Sequence, residues 1–327
     1  MERSSLMVSV RGLTKHYAVR KAGFFEKPGL VRALDGISFD IQRGGTLGMV
    51  GESGSGKTTA ARSILRLIEP DEGEIILDGV RVSELSRPDL RVFRKNMQVV
   101  FQDPYSSLNP RMTVEKIIME PLRIHTKLNR NEINDEYERI INLVGLEKSH
   151  RDRYPHEFSG GQRQRIGIAR ALALNPKFVI LDEPVSALDM SIQGQILNLL
   201  MELQKKMGLT YLFVSHDLAV VEHMSDRIVV MYLGRIVEES PKKNLYATPL
   251  HPYTRSLMKS IPNMRPVKHG FSVIAGEIPS PEKPPSGCHF HPRCPEAMDI
   301  CLSRYPEMRN IGEARVACHL YLDEGQT

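Results

Sequence analysis

Short runs of apolar residues recur along the chain and predict the strands of a sheet. Residues 6–10 and 37–41 mix apolar with polar positions, a pattern typical of strands that face solvent on one side. Other runs are almost wholly apolar, as in strands buried on both faces of a parallel sheet, and these lie at residues 46–50, 97–101, 178–181 and 210–214. A further strand is predicted at residues 74–77, before the turn residues Asp78 and Gly79.

Apolar residues at helical spacing predict helices between these strands. The spacing begins after residue 59, at Ala60, Ala61, Ile64, Leu65 and Ile68, and returns over residues 114–150 and 160–173. Strands that alternate with helices predict an α/β core with a mixed sheet. An antiparallel β portion is expected near the N-terminus and a helical insertion at about residues 104–175. Residues 20–29 read as a loop insertion between the first strands.

Length and composition leave the class of protein open. The chain has 327 residues, which suggests about two domains, and its net charge of +5 is mild for that length. Such a charge does not by itself indicate a nucleic-acid partner. No apolar run approaches the roughly 18–20 residues that cross a bilayer, and residues 1–5 lack the pattern of a signal peptide. We therefore expect a cytosolic protein.

A glycine-rich segment between the strand at 46–50 and the following helix fits G-x-x-x-x-G-K-[ST]. Its glycines let backbone N–H groups turn inward around a phosphate, and the helix N-terminus adds a positive dipole end. Lys57 would reach the β- and γ-phosphates, and the Thr58 hydroxyl would bind Mg²⁺. The segment, called the phosphate loop (residues 51–58), predicts binding of a nucleoside triphosphate. The predicted nucleotide-binding positions are Gly51, Ser53, Gly54, Ser55, Gly56, Lys57, Thr58 and Thr59.

Two buried strands end in polar residues suited to phosphate chemistry. Asp182 and Glu183 follow the strand at 178–181. Asp182 would hold Mg²⁺, through water, and Glu183 would polarise the water that attacks the γ-phosphate. His216 follows the strand at 210–214, where it can donate a hydrogen bond to the γ-phosphate and sense its loss. Asp182, Glu183 and His216 are therefore predicted to serve hydrolysis.

A second helix N-terminus is predicted at Ser159-Gly160-Gly161-Gln162, the signature segment (residues 159–162). Arg163, Arg165 and Arg170 lie in the helix that follows. Positive side chains are unfavourable near the N-terminus of a helix, so we expect an anion close by. Earlier in the chain, Tyr17 lies on the first strand; its pattern fits equally a half-buried strand aromatic and a platform on which adenine stacks.

These motifs occur in the order found in one family. The phosphate loop, Gln102, the signature segment, Asp182-Glu183, residues 186–189 and His216 together resemble the ATPase subunit of ABC transporters over residues 6–245. The resemblance implies a P-loop NTPase fold of the ABC type with an antiparallel β subdomain, a helical insertion and a small Cys-rich C-terminal domain. One departure is Phe158, where the family usually has Leu; Phe still serves as an apolar anchor.

The resemblance also assigns roles that the residues alone do not settle. Members work as dimers with two ATP molecules between them, so Ser159, Gly160, Gly161 and Gln162 would close on the nucleotide held by the opposite subunit. By the same resemblance Gln102 would sense Mg²⁺, take part in catalysis and contact a membrane subunit. Tyr17 would stack on adenine, and Asp189 would couple the two sites.

Residues 246–327 narrow the resemblance to one group of transporters. Residues 249–257 look like the segment that closes the ATPases of oligopeptide, dipeptide and nickel importers. This implies an ATPase domain at 6–245 and an importer-type region at 246–327, peripheral on the cytoplasmic face of the membrane. The implied partners are a second, different ATPase subunit, two membrane-spanning permease subunits and an extracytoplasmic solute-binding protein. The implied cargo is a di- or oligopeptide, with nickel or another small solute as the alternative.

Four cysteines lie in this region, at Cys288, Cys294, Cys301 and Cys318. Their spacing does not match a C-x2-C zinc ribbon, whereas four thiolates in a short irregular segment suit an iron–sulfur cluster. The resemblance to the cluster-bearing tails of this importer group implies a [4Fe-4S] cluster. Zinc and simple buried thiols are the alternatives. Loss of the cluster should loosen residues from about 279 onward. We expect the phosphate loop to lie in another folding unit, so that nucleotide binding survives this loss.

A function of another class is an ABC-type ATPase that acts on nucleic acid or ribosomes without a membrane partner. The chain carries a single ATPase cassette and neither a long coiled coil nor a basic stripe. Transport is therefore the favoured prediction, and no nucleic-acid partner is expected.

Overall fold

The computed structural model describes residues 5–19, 29–259 and 276–322. The contacts divide the chain into two compact units. The first unit comprises the described residues of Met1–Val8, Asp40–Thr46 and Ile76–Ser215, and the second those of Ser9–Phe39, Leu47–Ile75 and His216–Thr327. The loop insertion predicted at residues 20–29 lies outside the described residues except for Gly29, which begins a strand.

Three parallel strands form the main sheet of the first unit. They are β6 (Met97–Val100), β7 (Phe178–Asp182) and β8 (Thr210–Val214), and β7 lies between the other two. Every residue of β7 and β8 is buried, in agreement with their apolar sequences. Strand β7 pairs Asp182 with Val214 at its C-terminal end, so the polar residues that follow both strands emerge at the same edge.

Helices make up most of the first unit between β6 and β7. They are α2 (Arg87–Phe93), just before β6, then α3 (Pro104–Ser107), α4 (Val114–His125), α5 (Arg130–Val144) and α6 (Gly160–Leu172). A longer helix, α7 (Met190–Met207), follows β7. Helix α5 begins at a reciprocal capping box between Asn129 and Glu132 and ends at Gly145. The helical segment predicted between the phosphate loop and β7 is therefore present.

The second unit contains two groups of strands. Strands β2 (Gly29–Gln42), β1 (Leu6–Val19) and β4 (Glu72–Leu77) neighbour one another in that order. The last two residues of β4, Ile76 and Leu77, belong to the first unit, within which they pair antiparallel with β5 (Val80–Arg81). In the other group β3 (Thr46–Val50) runs parallel to β9 (Arg227–Tyr232), which pairs antiparallel with β10 (Arg235–Pro241). The sequence pattern predicted β1 and β2 only in part, as short strands.

Short helices follow the strands of the second unit. They are α1 (Lys57–Ile64), α8 (Leu218–Met224), α9 (Lys242–Ala247), α10 (Pro252–Lys259) and α11 (Asp299–Ser303). Helix α1 is shorter than its apolar spacing predicted, because the chain leaves the helix at Leu65 and Arg66 adopts a positive φ of 48°. Ile68 therefore lies beyond the helix. None of the helices in the described part of the chain combines the length and apolarity needed to cross a bilayer.

The C-terminal tail (residues 276–322) is joined to the second unit by its own strands. Strand β12 (Ala314–Val316) pairs antiparallel with β10, with Glu238 opposite Val316, and β11 (Arg309–Ile311) pairs with β12. The expectation that this region folds apart from the phosphate loop is wrong in this respect, because the loop and the tail belong to the same compact unit. A domain boundary near residue 246 stays a prediction.

Candidate functional site

The phosphate loop joins β3 to α1 in the second unit, as its motif predicted. Lys57 is buried, with 6% of its surface exposed, and its ammonium group points back into the loop. The Nζ atom donates to the carbonyl oxygens of Gly51 at 2.7 Å and Glu52 at 2.9 Å, and to Ser55 Oγ at 3.3 Å. The positive charge is therefore held at the centre of the loop, where an anionic ligand would meet it.

Two glycines of the loop permit backbone positions that a side chain would block. Gly51 and Gly56 have φ values of 153° and 105°. A Cβ atom would lie 2.3 Å from the Met231 carbonyl oxygen at Gly51 and 2.3 Å from the Ala33 carbonyl oxygen at Gly56. No side chain fits at such distances, so these glycines are required for the loop to fold as a cradle with its backbone turned toward a ligand. The loop fits a bound phosphate.

The other nucleotide-binding residues predicted for this unit lie on separate elements. Thr58 and Thr59 occupy the first turn of α1 and are half-buried. Tyr17 lies on β1, also half-buried, with Lys15 Nζ 5.7 Å from its ring centroid. His216 is exposed and precedes Asp217, whose carboxylate caps α8. The role of Tyr17 as an adenine platform stays a prediction.

In the first unit, the acids at the end of β7 meet Gln102. Asp182 is buried with 4% exposure, and Gln102 Nε2 donates to Glu183 Oε2 at 2.9 Å. Glu183 has a positive φ of 49°, and its amide donates to the Val214 carbonyl oxygen at 2.9 Å. A non-glycine residue in this region is strained, and such residues concentrate at functional sites. The hydrogen bond from Gln102 helps to orient the carboxylate of Glu183.

The signature segment forms the beginning of α6. The Ser159 hydroxyl accepts a hydrogen bond from the Gln162 amide at 3.3 Å, and the Gln162 side chain accepts one from the Ser159 amide at 3.0 Å. A Cβ atom on Gly161 would lie 2.5 Å from Ile192 of α7. Asp189, at the N-terminus of α7, is exposed. Phe158 is buried against His150, as expected of an apolar anchor.

The arginines of α6 do not need an anion to explain them. Arg163 Nε donates to the Pro155 carbonyl oxygen at 2.7 Å, and Arg170 Nη1 donates to that of Ser107 at 2.6 Å. Arg165 Nη1 likewise donates to a backbone carbonyl oxygen, at 2.5 Å. The anion that we expected beside them is therefore unnecessary, because carbonyl oxygens of neighbouring segments accept their hydrogen bonds.

The four cysteines of the tail are free thiols. Burial raises the pKa of Cys288 to about 11 and that of Cys318 to about 12. Electrostatic interaction with Cys288, Cys294 and Cys301 raises the pKa of Cys318 further. Backbone N–H groups donate to Cys288, Cys294 and Cys318. Yet no three His, Cys, Asp or Glu side chains in the described ranges are arranged to hold a metal ion.

One contact at the phosphate loop was not predicted. Arg293 of the tail forms a two-pronged ion pair with Glu52, with Nη1–Oε2 at 2.8 Å and Nη2–Oε1 at 3.1 Å. The hydrogen bonds to Glu52 raise the pKa of the Arg293 guanidinium, so that Arg293 keeps its positive charge. The two residues are 241 positions apart, and no spacing in the sequence marks them as partners.

Comparison with known proteins gives two matches to family profiles in one chain. Residues 34–186 match the ABC transporter family, and residues 237–301 match the oligopeptide/dipeptide transporter C-terminal region. The oligopeptide transport ATP-binding protein AppF of Bacillus subtilis (strain 168) is 52% identical over 320 residues. That match covers 96% of this chain and 97% of AppF.

Solved structures confirm the fold of the ATPase part. The ATP-binding cassette MJ0796, in a dimeric post-hydrolysis state bound to ADP and Pi, is 30% identical with a TM-score of 0.64. The match covers 72% of this chain and 99% of the MJ0796 chain. The protein cbiO1 from Clostridium perfringens, part of the ABC transporter complex cbiONQ, is 28% identical with a TM-score of 0.64, over 75% of this chain and 92% of its own. Neither match tests the predicted Cys-rich domain.

Proposed function

The chain belongs to the ATP-binding subunits of ABC transporters, and from this membership we propose that it powers import of di- or oligopeptides through separate membrane subunits. It is an ATPase, as the family profile and the similar cassettes indicate. The observation that carries the choice of cargo is the importer-type profile at residues 237–301, which lies C-terminal to the ABC profile at residues 34–186 of the same chain. AppF, which is similar to this chain over nearly its whole length, is named as an oligopeptide transport ATP-binding protein.

The phosphate loop binds the triphosphate of ATP. Lys57, already held among the loop oxygens of Gly51, Glu52 and Ser55, places its charge against the β- and γ-phosphates. In the second unit, the hydroxyl of Thr58 would hold Mg²⁺. In the first unit, Asp182, through water, and Gln102 would hold it, and the ion would supply positive charge that offsets the charge of the phosphates. Tyr17 supports the adenine ring, and Ser53, Gly54 and Thr59 complete the loop.

Hydrolysis depends on a water oriented by Glu183. Its carboxylate accepts the water proton as the water attacks the γ-phosphorus, and the bond from phosphorus to the β–γ bridging oxygen breaks. Gln102 holds Glu183 through the 2.9 Å hydrogen bond, so a change at Gln102 reaches the base directly. His216 donates a hydrogen bond to the γ-phosphate and loses that partner once phosphate leaves.

The signature segment serves the nucleotide of a second ATPase subunit. The amides at the N-terminus of α6 form an anion-binding end, and Ser159, Gly160, Gly161 and Gln162 would contact the γ-phosphate there. Asp189, at the start of the neighbouring helix α7, couples one site to the other. The dimeric state of the similar cassette MJ0796 supports this arrangement.

Residues 6–245 form the ATPase domain and residues 246–327 the importer-type region. The partner ATPase is a different chain, and the complex includes two permease subunits and an extracytoplasmic solute-binding protein. The chain would be attached to the cytoplasmic face of the membrane through the permeases. The importer-type profile and relatives such as AppF support membership of an import complex.

The proposed function predicts which proteins accompany the chain. Purified gently from its own membranes in detergent, it should bring down two polytopic membrane proteins and a second ATPase. The reconstituted assembly should take up labelled oligopeptide in the presence of ATP. Unlabelled peptide should reduce this uptake, and Ni²⁺ should not. Competition by Ni²⁺ alone would reassign the cargo. Salt-sensitive retention on nucleic acid without membrane partners would support the rival function.

We further propose that Cys288, Cys294, Cys301 and Cys318 hold a [4Fe-4S] cluster. A zinc ion needs all four sulfurs about 2.3 Å from one point, whereas a cluster attaches its cysteines at separate irons and so spaces them further apart. The support for a cluster here is that the four cysteines are spread over residues 288–318 and lack the C-x2-C pairs that bring sulfurs to a single zinc ion. The N–H groups that donate to three of the sulfurs would stabilise them as thiolates. When bound, the cluster would cross-link the tail.

Metal content tests this assignment. Protein purified without oxygen should be brown, with iron and sulfide in equal amounts, and Cys294→Ser should lose both. Ser303→Ala is the matched control, because it removes an exposed hydroxyl close to Cys301 and leaves every thiol in place, and it should keep its iron. A colourless preparation with one zinc per chain would show that the cysteines bind zinc. A preparation with neither iron nor zinc would show that they are buried thiols without a metal.

A further inference from the structure

The tail reaches the phosphate loop through a guanidinium that is almost fully buried. The Arg293 side chain is 4% exposed and that of Glu52 is 22% exposed. Their two parallel hydrogen bonds have the geometry that gives Arg–carboxylate pairs both strength and direction. Removing one partner would leave the other charge in a poorly solvated place. This contact is therefore unlike the exposed ion pairs elsewhere in the tail, which contribute little.

The same loop residue is held a second time through its backbone. The Glu52 amide donates to the Tyr253 hydroxyl at 2.9 Å. Tyr253 is fully buried, and its ring packs 4.7 Å from that of Tyr232 and 5.3 Å from that of Phe290, between ring centroids. Phe290 belongs to the tail, and its carbonyl oxygen accepts a hydrogen bond from the Arg293 amide at 3.0 Å. A packed aromatic cluster thus fixes both groups that hold Glu52.

The position of Glu52 matters because of what its other atoms touch. Its carbonyl oxygen accepts hydrogen bonds from Lys57 Nζ at 2.9 Å and from the Ser55 amide at 3.2 Å. A shift of Glu52 would therefore move the acceptor that orients the ammonium group of Lys57. Phosphate contacts require positions accurate to a fraction of an ångström, so a small displacement weakens them.

We propose that Arg293 is a positioning residue for nucleotide binding, which holds the phosphate loop in its binding-competent form through Glu52. This proposal rests on the assignment of the phosphate loop to nucleotide binding. Arg293 lies in the turn between Cys288 and Cys294, so the tail and the nucleotide site share one structural element. From the sequence alone we predicted that nucleotide binding survives when the cluster is lost and the tail loosens, whereas this contact predicts that a loosened tail weakens nucleotide binding.

The test compares affinities of the full-length chain for Mg²⁺ with the non-hydrolysable analogue AMP-PNP, measured by calorimetric titration. Arg293→Ala should weaken binding about tenfold, because the loop then spends only a fraction of its time in the competent form. Arg293→Lys, which keeps the charge but not the fork, should restore part of that affinity. Combining Arg293→Ala with Glu52→Gln should weaken binding no further than Arg293→Ala alone, since Arg293 acts through Glu52.

A control separates positioning of the loop from general support of the tail. Glu296→Ala breaks the exposed ion pair with Arg255, at 2.8 Å, in the segment that follows Cys294, and does not touch the loop. Its affinity for the analogue should stay within about twofold of the unaltered chain. The thermal unfolding midpoint of each variant without nucleotide shows whether lost affinity follows lost stability.

Three outcomes decide between the two assignments. If Lys57→Ala weakens binding and Arg293→Ala does not, the loop assignment holds and the positioning role of Arg293 is wrong. If neither weakens binding, the loop assignment itself fails. If Arg293→Ala and Glu296→Ala weaken binding equally, Arg293 supports the tail only. Should Arg293→Ala fail to fold, Arg293→Lys and Glu52→Gln, which preserve the packed volume, carry the same comparison, and unchanged affinity in both overturns the proposal.

Discussion

Glu183→Gln should lower ATP turnover by the assembled transporter by roughly 10²–10⁴-fold, the usual loss when a general base is removed. Glutamine keeps the size of the side chain and can still meet Gln102, which lies 2.9 Å away through Nε2. It cannot accept the proton of the attacking water. ATP binding should survive, since Glu183 is not predicted to contact the phosphates. The ATP-bound dimer should accumulate because it hydrolyses its ATP too slowly to separate.

Two measurements check this expectation. The steady-state rate of phosphate release gives turnover, and size-exclusion chromatography with Mg²⁺ and ATP gives the dimer. Glu138→Gln is the matched control, because the Glu138 side chain, on α5, is 42% exposed and forms an ion pair with the exposed Lys148. Its turnover should equal that of the unaltered chain. Turnover near the unaltered rate in Glu183→Gln would place the base elsewhere.

Lys57→Ala should weaken binding of Mg²⁺–ATP by roughly 10²-fold, as when one member of a buried charge pair is truncated. Lys57 Nζ is held within 3.3 Å of three oxygens of the loop, so its charge is positioned before the ligand arrives. Removal takes away a charge opposite the phosphates and leaves the carbonyl oxygens of Gly51 and Glu52 facing them. Those oxygens repel an anion.

Titration of the full-length chain with AMP-PNP measures the loss. Lys148→Ala removes a lysine that is 68% exposed in its side chain and should leave affinity unchanged. A folded Lys57→Ala chain that binds the analogue as tightly as before would refute the interpretation of the phosphate loop. Turnover should fall in parallel with affinity at low ATP, whereas in Glu183→Gln it should fall at every ATP concentration.

Features that depend on neighbouring residues could be predicted from the sequence. The phosphate loop follows a buried strand and begins a helix, and its lysine and glycines are specified within one short segment. The same holds for the signature segment, where Ser159 and Gln162 cap the helix that they begin. Hydrogen bonds between near neighbours leave a local pattern, and strand ends bring Asp182 and Glu183 to the sheet edge. Family resemblance extended these local patterns to an ATPase of peptide importers.

Only the tertiary structure decided which distant residues meet. The hydrogen bond from Gln102 to Glu183 joins residues 81 positions apart, and the ion pair from Arg293 to Glu52 joins residues 241 apart. The tail appeared separable by composition, yet β12 pairs with β10 and Phe290 packs among the aromatic rings beside the loop. Such contacts leave no period or spacing in the chain, because they arise when separate elements pack and exclude water together. The local chemistry of the nucleotide site could be predicted from the sequence, whereas its connection to the cysteine tail could not.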